Sequence, residues 1–534
     1  MKSWIEKIKG RKIYYYGAGI IGQECLREYR DVNIEGFIVS HESENAIDGV
    51  PIFGPEKLEE KGIFVVVTVI CFAEIKDALE KKGYIEGEDF VDYTVFFGCE
   101  RPDYSLEKLK YRIKGGEIVK GASLLFVPFF NSRVSDQIVN FFGKYFEAHK
   151  EEVFYYIESS RVVHPKKIES IIGCQMINTS FSYKQISNGD EQNNFIIDRK
   201  LDINEEVFVR GIEEEIECRK MDENYDEAIL RYKYYKSLLL LLQPTTVFFW
   251  GNFTRRDQYL SFLCKKNYIS MRFMEHGVVP GTIQCGWEGN AGYGEIPNHA
   301  DVFLKRAEKE NISEYNKIRD YIIKKKIDTG IFSYTKEDDD QLDMLLKGHK
   351  TVFLVGCGCY EWEVKEGSSF WKKHVSCNVD SAREAFDMTK ELCKKYDWNL
   401  IYKPHPGSPE DISIDDYNTE GIAIVRNASI DKLIEISDVV VSIMSAVHYK
   451  ALMYEKPLVE LGKYTDYGQG VAYEVHDDFE KQIIEALEFG MTEKQKERFS
   501  HHVMMLLHYN HWDDLTHEDF PYGLKLTENL KESR

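Results

Sequence analysis

The chain has 534 residues, of which 90 are acidic and 69 basic, so its formal net charge is −21. This acidic excess argues against nucleic-acid binding, which needs a basic surface to displace counterions from phosphates. Hydrophobic residues make up 43% and charged residues 30%, a globular composition that excludes disorder along the whole chain. At roughly 150 residues per domain, the length predicts three or four domains.

Composition and local patterns also bear on location. No apolar run approaches the roughly 20 residues that a membrane-spanning helix needs. Glu6, Lys7 and Lys9 stand where a signal peptide would have its apolar core. The 11 cysteines are an odd number with no regular framework of spacings. We therefore expect a cytoplasmic protein with reduced thiols, with peripheral association at the inner face of a membrane as a further expectation.

The first hundred residues alternate between strands and helices. Apolar runs predict strands at 12–16, 34–40 and 64–70, with helical sequence after the first and the third. Such alternation predicts a parallel sheet with right-handed crossovers. Mixed, charged sequence between 108 and 121 predicts a domain boundary.

Two further blocks have the same pattern. Apolar runs predict their strands, which lie at 123–130, 153–157, 246–250, 351–355, 399–402 and 439–441. The charged stretch 305–350 separates the two blocks and is expected to be solvated helix and linker. The predicted fold class is α/β: an N-terminal Rossmann-like domain followed by two Rossmann-like domains. Their predicted bounds are 1–107, 116–335 and 345–515.

A glycine-rich turn follows the first predicted strand. Gly17-x-Gly19-x-x-Gly22 stands between a strand and a helix, which is the context of a dinucleotide-binding turn. The glycines permit a tight turn and let a phosphate approach the helix N-terminus. With Glu42 near the end of the second strand as the candidate for a ribose, we predict a nucleotide site. A purely structural turn is the alternative.

The first hundred residues resemble a known accessory domain. The segments YYYGAGIIGQ, IEGFIVS and IDGVPIFG are similar to the small Rossmann-like domain found ahead of bacterial sugar acyltransferases and fused to surface-polysaccharide enzymes. This resemblance implies a nucleotide-sugar binder rather than a dehydrogenase.

The third block carries the strongest motif, Lys403-Pro404-His405-Pro406. It follows a predicted strand, so His405 is expected at the carboxyl end of that strand, where open α/β sheets bind ligands. The prolines fix the loop, and a His–Lys pair stabilises phosphate charge. The alternative is a structural proline-rich turn.

A second motif follows the strand at 439–441. Ser442 and Ser445 lie in a short loop before a helix, where hydroxyls and backbone N–H groups form a phosphate cradle. A simple N-cap at Ser445 is the alternative, and both roles are compatible. Gly356 and Gly358 follow the first strand of this block and are expected to let a phosphate approach the backbone.

These motifs together resemble the donor-binding half of GT-B glycosyltransferases that build bacterial capsules and related polymers. The matching segments are KPHP at 403–406, SIMSA at 442–446 and ALMYEKP at 451–457. Similar enzymes include Kdo transferases, sialyltransferases and teichoic-acid polyol-phosphate transferases. The resemblance implies a GT-B arrangement of the last two domains. It also implies that His405, Ser442 and Ser445 contact the phosphate of the donor.

The middle block contains Glu275-His276-Gly277 after a probable strand. Either ionisable group is a candidate for the base that takes a proton from the acceptor hydroxyl. The segment is similar to the His-Gly turn of the polyol-phosphate transferases and to the acidic-Gly turn of Kdo transferases. The choice between Glu275 and His276 stays open, as does a structural turn.

No Asp-x-Asp motif stands at a convincing strand end, so we predict no metal and no required cofactor. Lys403, His405 and helix N-termini are expected to offset the leaving-group charge instead. The predicted activity is transfer of a sugar from a nucleotide-activated donor, with a CMP-linked keto-sugar favoured by the resemblance. The expected acceptor is a surface polysaccharide, glycan or lipid-linked molecule. Alternatives are a CDP-polyol phosphotransferase and a non-catalytic nucleotide-sugar-binding scaffold.

Overall fold

The computed structural model describes most of the chain in two compact units. One unit comprises Met1–Ile118 and Tyr155–Phe195, and the other comprises Val119–Phe154 and Ile196–Arg534. None of the described helices combines the length and the low charge that crossing a bilayer requires. The description omits residues 1, 41–45, 70–71, 129–134, 159–164, 182–199, 217–224, 326–341, 343–345, 347–348, 358–362, 406–420, 510 and 514–534.

The first unit contains short strands separated by helices. Its strands are β1 Lys12–Tyr16, β2 Gly36–Ile38, β3 Ala46–Ile47, β4 Val50–Phe53, β5 Ile63–Val67, β6 Phe90–Asp92, β8 Phe154–Glu158 and β9 Gln175–Asn178. The first residue of β8, Phe154, is assigned to the other unit. Its helices are Lys2–Lys7, Ile20–Glu28, Phe72–Lys81, Tyr93–Phe97, Glu107–Lys114 and Pro165–Ile172, with a 3₁₀ turn at Pro55–Glu59.

Six of these strands form the first sheet, in the order β3-β4-β2-β1-β5-β6. Strand β1 pairs in parallel with β2 on one side and β5 on the other. Every residue of β5 is buried, because helices cover both faces of a parallel sheet. Burial on both faces explains why the sequence of β5 is a continuous apolar run. Strands β8 and β9 pair with each other in parallel.

The second unit contains the third block and the rest of the middle block. Its strands are β7 Ser123–Phe126, β10 Thr246–Trp250, β11 Ser270–His276, β12 Thr282–Gly286, β13 Thr351–Val355, β14 Asn399–Lys403, β15 Ile422–Ile424, β16 Val439–Ser442, β17 Leu458–Glu460, β18 Tyr473–Glu474 and β19 His511–Asp513. Its helices are Ser135–Ala148, Ile203–Glu215, Tyr225–Leu242, Arg255–Lys266, Glu295–Asn298, Ala300–Ala307, Tyr315–Lys325, Ser369–His374, Ala382–Tyr396, Ile430–Ile436, Val447–Met453, Phe479–Phe489 and Glu493–Tyr509, with a 3₁₀ turn at Ala291–Tyr293.

In this unit β7, β10, β11, β12 and β19 form what we call the second sheet, in that order. The first three strands are parallel, whereas β12 and β19 are antiparallel to their neighbours. Strand β19 belongs to the range 345–515 that we predicted as the third domain, yet it pairs with β12. The predicted domain bounds themselves remain predictions.

Strands β13 to β18 form the third sheet, in the order β15-β14-β13-β16-β17-β18. All of its pairings are parallel. Numbered from β13, this is the doubly wound order 3-2-1-4-5-6, whose ligand crevice opens where the first and fourth strands meet. That point lies between β13 and β16. The predicted α/β fold class of Rossmann-like sheets is therefore confirmed.

The expectation of a solvated linker at 305–350 is wrong for its first part. Helix Tyr315–Lys325 buries Ile318 and Ile322, which join the apolar core of the third sheet. Tyr315 is also buried there, so three residues spaced three and four apart form one apolar face. The many charges on the opposite face concealed this pattern. Residues 326–341 lie outside the described part of the chain.

Candidate functional site

Polar residues at the carboxyl ends of the strands of the third sheet are register partners on neighbouring strands. Val355 of β13 pairs with Lys403 of β14 and with Ser442 of β16. Ser442 in turn pairs with Glu460 of β17, and Glu460 with Glu474 of β18. Register partners in a parallel sheet carry their side chains on the same face. The row therefore places one lysine, one serine and two glutamates side by side at the ligand-binding edge.

Lys403 does not extend from this edge in the way the sequence suggested. Its side chain is 3% exposed, and its ammonium donates a hydrogen bond to the carbonyl oxygen of Arg426. The Lys403 charge is thus held beneath the edge of the sheet rather than presented by the loop. His405, two residues further on, is half-buried just past the end of β14.

The two serines of the second motif differ in their surroundings. Ser442 is fully buried, and its hydroxyl has no hydrogen-bond partner among the described residues. Ser445 accepts a hydrogen bond from the backbone N–H of Val447 at 3.2 Å, a local turn contact. The N-cap of helix Val447–Met453 is Ala446, so the alternative of a simple N-cap at Ser445 is wrong by one residue. Both residues lie at the switch point between β13 and β16, and Ser442 retains hydrogen-bonding capacity.

Gly356 is required by a close approach of two strand ends. Its backbone N–H donates to the carbonyl of Lys403 at 2.9 Å. A Cβ atom at this position would clash with the backbone nitrogen of His405 and the carbonyl of Lys403. Gly356 thus brings β13 against the start of the His405 loop. Gly358 lies outside the described residues.

Glu275 and His276 are the last two residues of β11, followed by a hairpin rather than a helix. The N–H of Gly277 donates to the carbonyl of Thr282 at 2.7 Å and closes that hairpin. Successive side chains of a strand point to opposite faces, so the two candidates for the base point in opposite directions. His276 packs edge-on against Trp250, with ring centroids 5.4 Å apart.

Glu275 acts electrostatically on a residue in the loop between β17 and β18 of the third sheet. Burial, together with the nearby charges of Glu275 and Asp466, raises the pKa of Tyr464 well above its ordinary value. Tyr464 lies in the loop after β17. Glu275 thus lies within electrostatic range of the loop between β17 and β18.

The segment from Trp287 to Asn298, which we call the connecting loop although it includes a 3₁₀ turn and a short helix, contacts residues of both the second and the third block. Tyr293 stacks on His374, with ring centroids 3.6 Å apart. A Cβ atom on Gly292 would clash with the carbonyl oxygen of His374, so only glycine permits this approach. At the base of the loop, the Asn290 side chain donates to the carbonyl of Met274 at 3.2 Å. These contacts hold the ends of β11 and the third sheet in one arrangement.

Glu295 supports this loop from inside and is expected to make stability depend on pH. Its carboxylate accepts hydrogen bonds from the N–H groups of Trp287 and Glu288 at 3.3 and 3.4 Å, and its other oxygen has no partner among the described residues. Burial raises the pKa of Glu295 from 4.5 to about 6. The stability that its proton provides is present below pH 4.5 and lost as pH rises through 6, because the ionised form is disfavoured in the folded state.

We therefore predict that the stability of the Glu295→Gln variant, relative to wild type, increases as the pH rises. The difference in unfolding free energy between variant and wild type should move by about 2 kcal/mol in favour of the variant between pH 4 and pH 8. Urea unfolding at both pH values measures it. An identical difference at both pH values would contradict the burial of an ionisable carboxyl at this position.

The N-terminal glycines have distinct roles in the first unit. Gly17 has a φ of +115°, and Gly22 lies so close to the Gly17 carbonyl that a Cβ would clash. A Cβ on Gly19, by contrast, would meet nothing within 4 Å, so space for a ligand lies over the N-terminus of helix Ile20–Glu28. Glu42 lies outside the described residues. The predicted nucleotide site here stays a prediction.

Sequence reasoning missed a buried cluster at the end of β17. His448, Glu460 and Asp466 are each at most 1% exposed, and one ligand atom from each lies within 4.8 Å of the others. An acidic residue closing a buried strand was the available signal. The lysine of the ALMYEKP segment, Lys456, has a structural role, because it donates to the carbonyls of Glu435 and Ser437 at 2.9 and 2.7 Å.

No protein-family model and no curated protein matches the chain. Among solved structures it is similar to the beta-Kdo 2,4 transferase KpsC of Thermosulfurimonas dismutans, with 12% identity, coverage of 49% of this chain and 80% of that chain, and a TM-score of 0.33. A Rickettsia bellii UDP-N-acetylglucosamine 2-epimerase has 10% identity, coverage of 73% and 94%, and a TM-score of 0.30. A Rickettsia africae glycosyltransferase has 13% identity, coverage of 77% and 97%, and a TM-score of 0.29. Similarity at this level does not establish the activity of this chain.

Proposed function

We propose that the chain is a glycosyltransferase that moves a sugar from a nucleotide-activated donor to a glycan or lipid-linked acceptor. The observation that carries the proposal is the convergence of Gly356, His405 and Ser442 at the switch point of a doubly wound sheet. A crevice at such a point is where open α/β sheets bind nucleotides. A CMP-linked keto-sugar is the favoured donor, and the reaction takes place in the cytoplasm.

In the proposed reaction, Glu275 takes the proton of the acceptor hydroxyl. The acceptor oxygen then forms a bond to the anomeric carbon, and the bond from that carbon to the donor phosphate breaks. The choice of Glu275 over His276 is supported by its electrostatic effect on Tyr464, which lies between β17 and β18 of the third sheet. His276 points to the opposite face of β11 and packs against Trp250.

The charge that develops on the leaving phosphate is offset by groups of the third sheet. The His405 imidazole follows β14 directly, and the buried Lys403 ammonium adds positive potential beneath it. The unpaired Ser442 hydroxyl supplies a further donor at the same edge. We propose that these groups make a metal at the leaving group unnecessary.

A thermal-shift series with CMP, CDP, UDP and GDP tests the donor site. A nucleotide at 100 times its Kd adds about 2.7 kcal/mol to the folded state, so binding raises the Tm measurably. We expect CMP to produce the largest rise, and mass analysis of the transfer product then distinguishes a sugar from a polyol phosphate. No shift with any of the four nucleotides would overturn the proposal.

Two variants assign the shift to one of the two candidate nucleotide sites. Gly19 has φ −74° and ψ −168°, which any residue adopts, so Gly19→Val is expected to fold while filling the space above the first turn. Ser442→Ala removes only the unpaired hydroxyl of the third sheet. We expect the CMP shift to persist in Gly19→Val and to shrink in Ser442→Ala. The reverse pattern would assign the nucleotide to the first unit.

A further inference from the structure

The buried cluster of His448, Glu460 and Asp466 draws on three separate pieces of the chain. His448 comes from helix Val447–Met453, Glu460 ends β17, and Asp466 lies in the loop that follows. The Nδ1 atom of His448 is 3.2 Å from an oxygen of Asp466 and 3.8 Å from an oxygen of Glu460. A single small ion at the centre of these atoms would contact all three residues.

Nδ1 of His448 is within hydrogen-bond distance of both oxygens of Asp466, at 3.2 and 3.3 Å. Beyond this contact, hydrogen bonding among the described residues leaves the cluster incomplete. By hydrogen-bond geometry, neither oxygen of Glu460 has a partner among the described residues, although the backbone N–H of Tyr464 acts on this carboxylate. Nε2 of His448 likewise has no partner there, and both residues are at most 1% exposed. A buried ionised carboxylate without a partner costs several kcal/mol. The cluster therefore needs either a proton or a cation.

The surrounding elements do not provide that cation from a side chain. From the helix, Lys450 is paired with Asp431 at 2.9 Å, and from the loop Lys463 donates to the carbonyl of Lys373 at 3.1 Å. The neighbouring strands contribute the uncharged Ser442 and a further acid, Glu474. Among the described residues, His448 is the base that lies close to both carboxylates. The buried His502, whose Nε2 is 2.7 Å from the Tyr449 hydroxyl, interacts electrostatically with Asp466.

We propose that His448, Glu460 and Asp466 form a site for a divalent transition-metal ion, with Zn²⁺ as the best fit. Imidazole nitrogen and carboxylate oxygen are both zinc ligands, and ligands at about 2.0–2.2 Å in a tetrahedron lie roughly 3.3 Å apart. The separations of 3.2 and 3.8 Å are close to that spacing. By coordinating both Glu460 and His448, the ion would link the end of β17 to helix Val447–Met453. The inference does not depend on the proposed function.

Metal binding is measured on the full chain, stripped with EDTA and then given Zn²⁺ alone. We expect one equivalent of zinc to remain after gel filtration, as measured by elemental analysis, and the Tm to rise by several degrees relative to the stripped protein. Mg²⁺, which prefers oxygen ligands, should give no comparable rise. A stripped protein that neither retains zinc nor changes its Tm would overturn the proposal and leave Glu460 with a proton.

Variants locate the metal at this cluster rather than at cysteines. His448→Gln and Asp466→Asn should weaken zinc binding by about 100-fold or more, since each removes a ligand. Cys377→Ser, at an exposed thiol, and His502→Gln, at a buried histidine outside the cluster, should keep full zinc content. Wild-type zinc content in His448→Gln would refute the assignment.

If the variants that lose a ligand do not fold, the substitution Glu460→Gln still tests the metal site. Glu460→Gln preserves size and removes the charge that demands a counterion. In EDTA we expect it to be at least as stable as the stripped wild type, whereas in Zn²⁺ the wild type should be the more stable. Equal Tm differences in both conditions would contradict a metal role for Glu460.

Discussion

Replacing His405 by alanine is expected to lower the transfer rate by about 100- to 1,000-fold, the usual cost of removing one group that stabilises developing charge. The imidazole is half-buried just past β14, where Gly356 brings β13 against the same loop. Because the side chain is not part of an apolar core, we expect the Tm to stay within a few degrees of wild type. Initial rates with a CMP-linked donor measure the effect.

A matched control uses another histidine associated with the third sheet. His349 is exposed, and its Nδ1 atom lies 3.2 Å from a carboxylate oxygen of Asp397. Both residues precede the amino ends of β13 and β14, whereas His405 follows the carboxyl end of β14. His349→Ala should therefore transfer at nearly the wild-type rate. Turnover in His405→Ala that equals this control would remove His405 from the mechanism and leave its loop a structural turn.

Glu275→Gln is expected to reduce the transfer rate by about 100- to 10,000-fold, which is the range for loss of a general base. The substitution keeps the size of the side chain and its position at the end of β11. The physical reason for preferring this residue is that its charge acts on Tyr464, at the third sheet, whereas the His276 ring packs on Trp250.

The adjacent His276 is the natural comparison for Glu275. His276→Gln should lower the transfer rate by less than tenfold, because the two side chains point to opposite faces of the strand. The pH–rate profile of each variant adds a second measurement, since loss of the base removes the acidic limb. If His276→Gln is the more damaged of the two, the assignment of the base is reversed.

Strand positions were well predicted where apolar runs are long and local. The predicted strands at 12–16, 246–250 and 351–355 agree with β1, β10 and β13 to the residue. The expected strand at 123–130 ends at Phe126, and the one at 34–40 is only three residues long. Hydrophobicity predicts a strand because a parallel sheet is buried on both faces, but it says less about where hydrogen bonding stops.

The surroundings of individual side chains were predicted less well than strand positions. Lys403 was expected to face a ligand, yet its ammonium donates to the Arg426 carbonyl. Helix Tyr315–Lys325 was expected to be solvated, yet Ile318 and Ile322 are core residues. In each case the local sequence was compatible with two environments, and the neighbouring element decided between them.

By itself, the sequence determined an α/β protein and placed Gly356, His405, Ser442 and Glu275 at or just past strand ends, because these features depend on residues close together in the chain. Only the tertiary structure decided which of them meet. The order of β13 to β18 brings Lys403, Ser442 and Glu460 into one row, although they are far apart in sequence. The cluster of His448, Glu460 and Asp466 likewise has no local pattern, since its members come from a helix, a strand end and a loop. Strand order and register are set by packing over the whole sheet, and that packing determines which charges share a buried space.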